Sequence, residues 1–150
     1  TADMLLIMCY SGWRISEYLN LEVNLKDKYF FGGSKTDAGK NRTVPIHSAI
    51  FPLVEHRIEQ YGHILACTAK EFRVQMEDLL NQLNIPNEPK HTPHDCRHTF
   101  SRLCEKYKVA ENDRKRMLGH SFKGDITNKV YGHRELEDLR EEIEKIKINL

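Results

Sequence analysis

Residues 91–100 read HTPHDCRHTF, placing three histidines, an arginine, an aspartate and a cysteine within ten positions. Thr92-Pro93-His94-Asp95 has the form of a helix entry: threonine as N-cap, proline at the first helical position, and an acid three residues after the cap. On the helix that follows, Cys96, Phe100, Leu103, Cys104 and Tyr107 fall in one apolar stripe. At about 100° per residue, His94, Arg97 and Ser101 lie within about 60° of one another on a separate stripe. Their side chains are therefore expected to point together, away from the packing face.

Two chemistries suit such a stretch, beside the plain reading in which the histidines only cap and pack a helix. His94 and His98 have the one-turn spacing of a zinc hydrolase pair with an acid after the first histidine, but that acid is Asp95, where the chemistry wants the longer glutamate. Asp95 also has a capping job, and no third ligand is defined. The other chemistry is phosphate binding. A guanidinium fork matches phosphate oxygens bidentately and stays charged at any relevant pH, so two forks can stabilise a pentavalent phosphorus as a metal does elsewhere. Arg97 is one fork. Arg14, at a helix start behind the Gly12 turn, is a candidate for the second.

Outward from this stretch, the chain reads as helices around a short run of strands. TADMLLIMCYSG (residues 1–12) is a mostly buried helix stopped by Gly12, and WRISEYLNL (13–21) a second helix with Ile15, Tyr18 and Leu19 at helical spacing. Strand-like runs follow near Glu22–Leu25, Tyr29–Gly32 and Arg42–Ile46, the last two flanking the polar loop GSKTDAGKN as a hairpin. A helix starting near Ser48 tolerates Pro52 in its first turn. In AKEFRVQMEDLLNQLN (69–84), Phe72, Met76, Leu79, Leu80 and Leu83 share one helical face. ENDRKRMLG (111–119) is a helix with acids in its first turn and a glycine stop, and a short helical turn is expected before Gly132. Leu136, Leu139, Ile143, Ile146 and Leu150 then form the narrow seam of an amphipathic docking helix over about 134–150.

The totals bound the class. One hundred and fifty residues are one domain's worth of chain, with 39% hydrophobic and 30% charged residues, as in a soluble globular protein. No apolar run is long enough to span a bilayer and no secretory signal is visible. Cys9, Cys67, Cys96 and Cys104 form no CxxC pair and read as reduced thiols, so a cytoplasmic setting is expected. The net charge of +1 hides an asymmetry: residues 135–144 carry six acids and one arginine, a balance of −5, which leaves +6 elsewhere. A basic body with an acidic tail is compatible with a polyanionic partner. The chain opens at Thr1 with an immediate apolar helix, so it is expected to begin mid-protein.

Four segments together resemble one family. SGWRISEYLNLEV is similar to the first arginine box of the tyrosine recombinases, the phage-integrase family of site-specific DNA recombinases, and HTPHDCRHTF to its second box, His-x-x-Arg. MLGHSFKGDITNKVYGH is similar to the third, a Leu-Gly-His turn followed by the nucleophilic tyrosine, and GSKTDAGKNRTVPIH to the hairpin that carries the family's lysine. They occur in family order over residues 11–133. Cys96 stands where a larger aliphatic is usual, and the segment from His120 to Tyr131, with Gly124 inside it, is slightly long.

The resemblance implies an α+β, mainly α-helical catalytic domain with a small three-stranded antiparallel sheet, acting in DNA integration, the movement of mobile elements or chromosome resolution. It implies that Arg14 and Arg97 clamp the scissile phosphate and that Lys35 protonates the leaving 5′ oxygen, with Lys40 close enough to compete. His94 and His120 would assist proton transfer, and Tyr131 would attack phosphorus to give a 3′-phosphotyrosyl link. Glu17, His98 and His133 would be supporting residues. No cofactor or metal is implied. The partner would be double-stranded DNA at a specific recombination site, bound by a homotetramer with exchanged C-terminal segments, with a DNA-clamping domain upstream and a bacterial or phage-encoded, cytoplasmic enzyme. A type IB topoisomerase, a non-catalytic DNA-binding module and the zinc hydrolase are the alternatives.

Overall fold

The computed structural model describes residues 1–33, 37–121 and 134–148. Its elements in chain order are α1 (Ala2–Cys9), α2 (Ile15–Tyr18), β1 (Glu22–Asn24), β2 (Tyr29–Gly32), β3 (Arg42–Pro45), α3 (Phe51–Tyr61), α4 (Ala69–Gln82), α5 (Pro93–Lys106), α6 (Glu111–Leu118) and α7 (Leu136–Ile143). The fold is thus mainly helical with one three-stranded antiparallel sheet, ordered β1-β2-β3, as the sequence predicts. Phe30 pairs with Val23 on one side and Val44 on the other, and Gly32 stands opposite Arg42 at the open end of the hairpin.

Period-two alternation explains β3. Arg42, Val44 and Ile46 share the face that meets the helices, and all three are buried. Trp13 lies edge-on to Phe30 and joins the sheet to the turn after α1. Helices α1 and α5 pack against each other, bringing Met4, Ile7 and Met8 into one core with Cys96, Phe100 and Cys104.

The turn between α1 and α2 is shaped by a close approach. Gly12 has φ +72°, and a Cβ there would stand 2.3 Å from the Phe100 ring. Only glycine meets both demands. Helix α2 is shorter than the sequence suggests, a single turn, and Leu19 lies 44% exposed beyond its end. Its first turn is held by a capping box in which the Glu17 carboxylate accepts from the Arg14 backbone N–H at 2.8 Å. Leu83 also departs from expectation. Helix α4 stops at Gln82, the chain reverses through Asn84 at φ +53°, and Leu83 faces solvent instead of extending the stripe of Phe72, Met76 and Leu80.

The acidic tail packs on the chain's own core. Leu139, Ile143 and Ile146 are buried and Leu136 half-buried, with α7 against β3 and α6. Its acids take defined partners: Glu142 accepts from the Ala110 N–H at the start of α6 at 2.7 Å, and Glu144 from the backbone and hydroxyl of Ser48 at 2.6 and 2.7 Å. The His47 ring, through Nε2, bonds the Ile146 carbonyl at 2.7 Å, and Arg140 donates to the Asp27 and Lys28 carbonyls in the β1–β2 turn. Leu150 and the turn expected before Gly132 lie outside the described residues.

Candidate active site

Three segments far apart in sequence meet around Arg97: the turn before α2, the start of α5 and the end of α6. The helix entry is built as its residues predict, with Pro93 in the first turn and the Asp95 carboxylate accepting from the Thr92 backbone N–H at 2.8 Å. The direction of Arg97 differs from the sequence reading. Its Cβ lies on the stripe shared with His94 and Ser101, yet the side chain turns inward and the residue is 4% exposed, while His94 is exposed. Arg97 Nη1 donates to the Gly12 carbonyl at 2.6 Å and Nη2 to the Leu118 carbonyl. The carbonyls of two turns supply what draws the guanidinium off the solvent side.

Arg14 sits as the N-cap of α2 with an extended backbone, and its guanidinium reaches Glu17 Oε1 at 3.4 Å. Glu17 has a fully buried side chain. Its principal partner is Arg42, which donates from Nη1 to Oε1 at 3.1 Å and from Nη2 to Oε2 at 3.0 Å. Arg42 also donates from Nε to the Met117 carbonyl at 3.0 Å and from Nη1 to the Gly39 carbonyl at 2.6 Å, with its guanidinium 3.8 Å from the Trp13 ring centroid. The backbone of Gly119, at φ +70°, presses on the same group: a Cβ there would lie 2.9 Å from Arg42 Nη1.

Arg42 is the residue that motif reasoning passes over. Its signal is nonetheless present, because period two places it on the face of Val44 and Ile46, and an arginine facing a core needs a carboxylate. Glu17 is read from sequence as a structural partner of arginine, and Arg42 takes the larger share of it.

The three guanidiniums and one carboxylate leave this region with an excess of positive charge. Burial lowers the Arg97 guanidinium to about 10, aided by the charges of Arg14 and Arg42, so it stays protonated at neutral pH. Burial would raise the Glu17 carboxyl, but the Arg42 hydrogen bonds, the Arg14 backbone N–H and both arginine charges hold it below the usual carboxylate range. Partial desolvation lowers the His94 imidazole, assisted by His98, Arg97 and Arg14, and partial desolvation also lowers His120, assisted by Arg97, Arg14, Arg114 and Arg42. Both imidazoles are therefore neutral near pH 7, able to accept a proton while the arginines bind an anion.

His120 follows the left-handed Gly119 that ends α6, its N–H bonded to the Lys115 carbonyl at 2.9 Å. His98 is exposed and packs edge-on against His94, ring centroids 4.7 Å apart. Lys40, the competitor for the hairpin role, is paired with Asp37 at 3.5 Å. Lys35, Tyr131 and His133 lie outside the described residues. Among the described residues no group of three or more histidine, cysteine, aspartate or glutamate side chains could hold a metal, so the His94–His98 pair finds no third ligand there.

No curated protein and no solved structure matches this chain. The sequence model described as the Phage integrase family does match it, over residues 1–137. That span holds α1 to α6, the three arginines, Glu17, His94 and His120, and it is nearly the whole chain. This chain belongs to the phage integrase family and is a tyrosine recombinase catalytic domain, of a family of DNA-binding enzymes that break and rejoin DNA.

Proposed function

We propose that this domain cleaves and rejoins DNA at a specific recombination site through a covalent 3′-phosphotyrosyl intermediate, with no metal in the reaction. The observation that carries the reading is the convergence of Arg14 and Arg97, from segments 83 positions apart, on a region where the Glu17 carboxylate is already engaged by Arg42. A phosphodiester gains negative charge as phosphorus becomes pentavalent, and fixed guanidinium donors stabilise that charge with no metal needed for it.

In this mechanism Arg14 binds the non-bridging oxygens together with the N–H groups of Arg97 that the Gly12 and Leu118 carbonyls do not take, and neutral His94 and His120 hydrogen-bond them, one of the two taking up the phenol proton. Tyr131 Oη attacks phosphorus, the P–O5′ bond breaks, and Lys35 gives a proton to the departing 5′ oxygen. The phosphotyrosyl ester keeps the energy of the broken bond, so attack by a 5′-hydroxyl rejoins the strand without a nucleotide cofactor. Glu17, His98 and His133 support these groups. The active assembly is a homotetramer on DNA that exchanges C-terminal segments, with a DNA-clamping domain upstream. An exchanged tail would have to reproduce on its neighbour the burial that Leu139, Ile143 and Ile146 have here in their own chain. Among the described residues no helix is long and apolar enough to cross a membrane.

The test is covalent trapping on a nicked duplex carrying the recombination site, with EDTA present, using the full-length enzyme and its Tyr131→Phe variant. A denaturation-resistant adduct lost in the variant supports the mechanism. An adduct that EDTA abolishes, or that the variant still forms, overturns it, and no adduct on a proven site points to a binding module instead.

A further inference from the structure

The Glu17 carboxylate is saturated. A carboxylate offers about four lone-pair sites, and four donors meet this one. Oε1 accepts from Arg42 Nη1 at 3.1 Å and Arg14 Nη1 at 3.4 Å, and Oε2 accepts from Arg42 Nη2 at 3.0 Å and the Arg14 backbone N–H at 2.8 Å. Arg14 thus holds Glu17 by one long side-chain contact, although it is only three residues away and has a fork suited to closing on both oxygens. What prevents closure is Arg42, which occupies the bidentate position.

Arg42 is itself fixed in five ways: two bonds to Glu17, one each to the Met117 and Gly39 carbonyls, and stacking on Trp13. Its side chain is 6% exposed, whereas that of Arg14 is 20% exposed. The buried arginine is turned to the protein and the more exposed one is left for a ligand.

We propose that Arg42 is a positioning residue for strand cleavage, one that holds the Glu17 carboxylate so that the Arg14 guanidinium remains free to bind the scissile phosphodiester. The role rests on the phosphate-clamp reading above. Without Arg42, two lone-pair sites on Glu17 fall vacant beside the only other guanidinium in contact with it among the described residues, Arg14 closes its fork on the carboxylate, and the clamp loses one cation. Replacing Glu17 by glutamine as well removes that competitor. Glutamine still accepts from the Arg14 backbone N–H to cap α2, and it carries no charge to neutralise the side chain.

The experiment measures the affinity of the full-length enzyme for a short duplex carrying its recombination site across a salt series. Each phosphate contact made by a cation contributes about one unit to the slope of log K against log salt. Arg14→Ala and Arg42→Met should each lower the slope by about one, single-turnover cleavage should fall in both, and Arg42→Met/Glu17→Gln should regain both slope and cleavage. A purely structural role for Arg42 predicts weaker folding with the slope unchanged. If Arg42→Met does not fold, Arg42→Lys, which covers one oxygen, gives the same comparison with a partial fall in slope and the same rescue by Glu17→Gln. A wild-type slope in the Arg42 variants beside a lowered slope in Arg14→Ala overturns the positioning role and spares the clamp, as does absence of rescue by Glu17→Gln. An unchanged slope in Arg14→Ala overturns both.

Discussion

Arg97 and Gly12 are 85 positions apart, and the Arg97 guanidinium donates to the Gly12 carbonyl at 2.6 Å. The second amino group of the same side chain donates to the Leu118 carbonyl. One arginine therefore stitches the turn before α2 to the end of α6 through the start of α5, and its planar fork sets the angle at which the three meet. A point charge would not do this.

Arg97→Lys keeps the positive charge and loses the fork. An ammonium can follow only one of the two carbonyls closely, and the other becomes a buried acceptor without a donor, at a cost of about 1–3 kcal/mol. Cleavage loses a preorganised donor as well, with an expected fall of about 10²- to 10³-fold. Urea melts and single-turnover cleavage on the same preparation measure the two effects. Cleavage within a few-fold of wild type would remove Arg97 from the clamp.

The imidazoles set the pH response. His94 and His120 are both held below the ordinary value of 6.5, so the acidic limb of kcat/KM in the free enzyme should fall below pH 6.5. The sign for stability follows. Between 6.5 and the lowered values the unfolded chain binds more protons than the folded one, so the stability that neutral His94 and His120 contribute is complete above 6.5 and declines as pH falls through this window. His94→Gln should flatten that decline in a pH series of denaturant melts; a steeper decline would contradict the assigned direction.

Gly12→Ala tests the close approach to Phe100. The residue needs φ +72° and has 2.3 Å between its would-be Cβ and the ring, so alanine must strain the backbone or displace a fully buried side chain. The loss should exceed about 1 kcal/mol. Because the Gly12 carbonyl is an Arg97 acceptor, cleavage should fall too, even where the variant is fully folded. The urea midpoint and the cleavage rate below the transition separate the two losses.

Ile143→Ala reports on the tail. Ile143 is fully buried, and deletion of such a side chain costs about 2–5 kcal/mol. Helix α7 packs on β3 and α6, so the loss should appear in the main unfolding transition of the isolated chain rather than in a separate fraying step. A loss under 0.5 kcal/mol, a rough floor set by ordinary surface substitutions, would mean that the tail leaves this position in solution.

Most of the architecture is legible in the sequence. The strands follow from alternation that puts Val44 and Ile46 inward, and the start of α5 from Thr92, Pro93 and Asp95, because these signals act within a few residues. Leu19 and Leu83 depart because each stands at a helix end, where the chain turns and periodicity no longer fixes direction. Arg97 departs for another reason. A helical wheel gives the direction of Cβ, but a long side chain goes where its donors are satisfied, and its acceptors belong to Gly12 and Leu118. Arg42 carries a readable inward-facing signal, yet its partner sits 25 positions away, a pairing that no local pattern contains.

The unequal fixing of the three arginines has a thermodynamic consequence. Immobilising a long side chain costs about 0.5–1.5 kcal/mol in lost rotamer freedom. Arg42 and Arg97 are already ordered by backbone carbonyls and the Trp13 ring, so that entropy is surrendered when the chain folds. Arg14, whose side chain reaches Glu17 at 3.4 Å and is 20% exposed, keeps more of its freedom among the described residues. In the proposed clamp, the conformational entropy that these three arginines lose on capturing a phosphate would therefore fall mainly on Arg14.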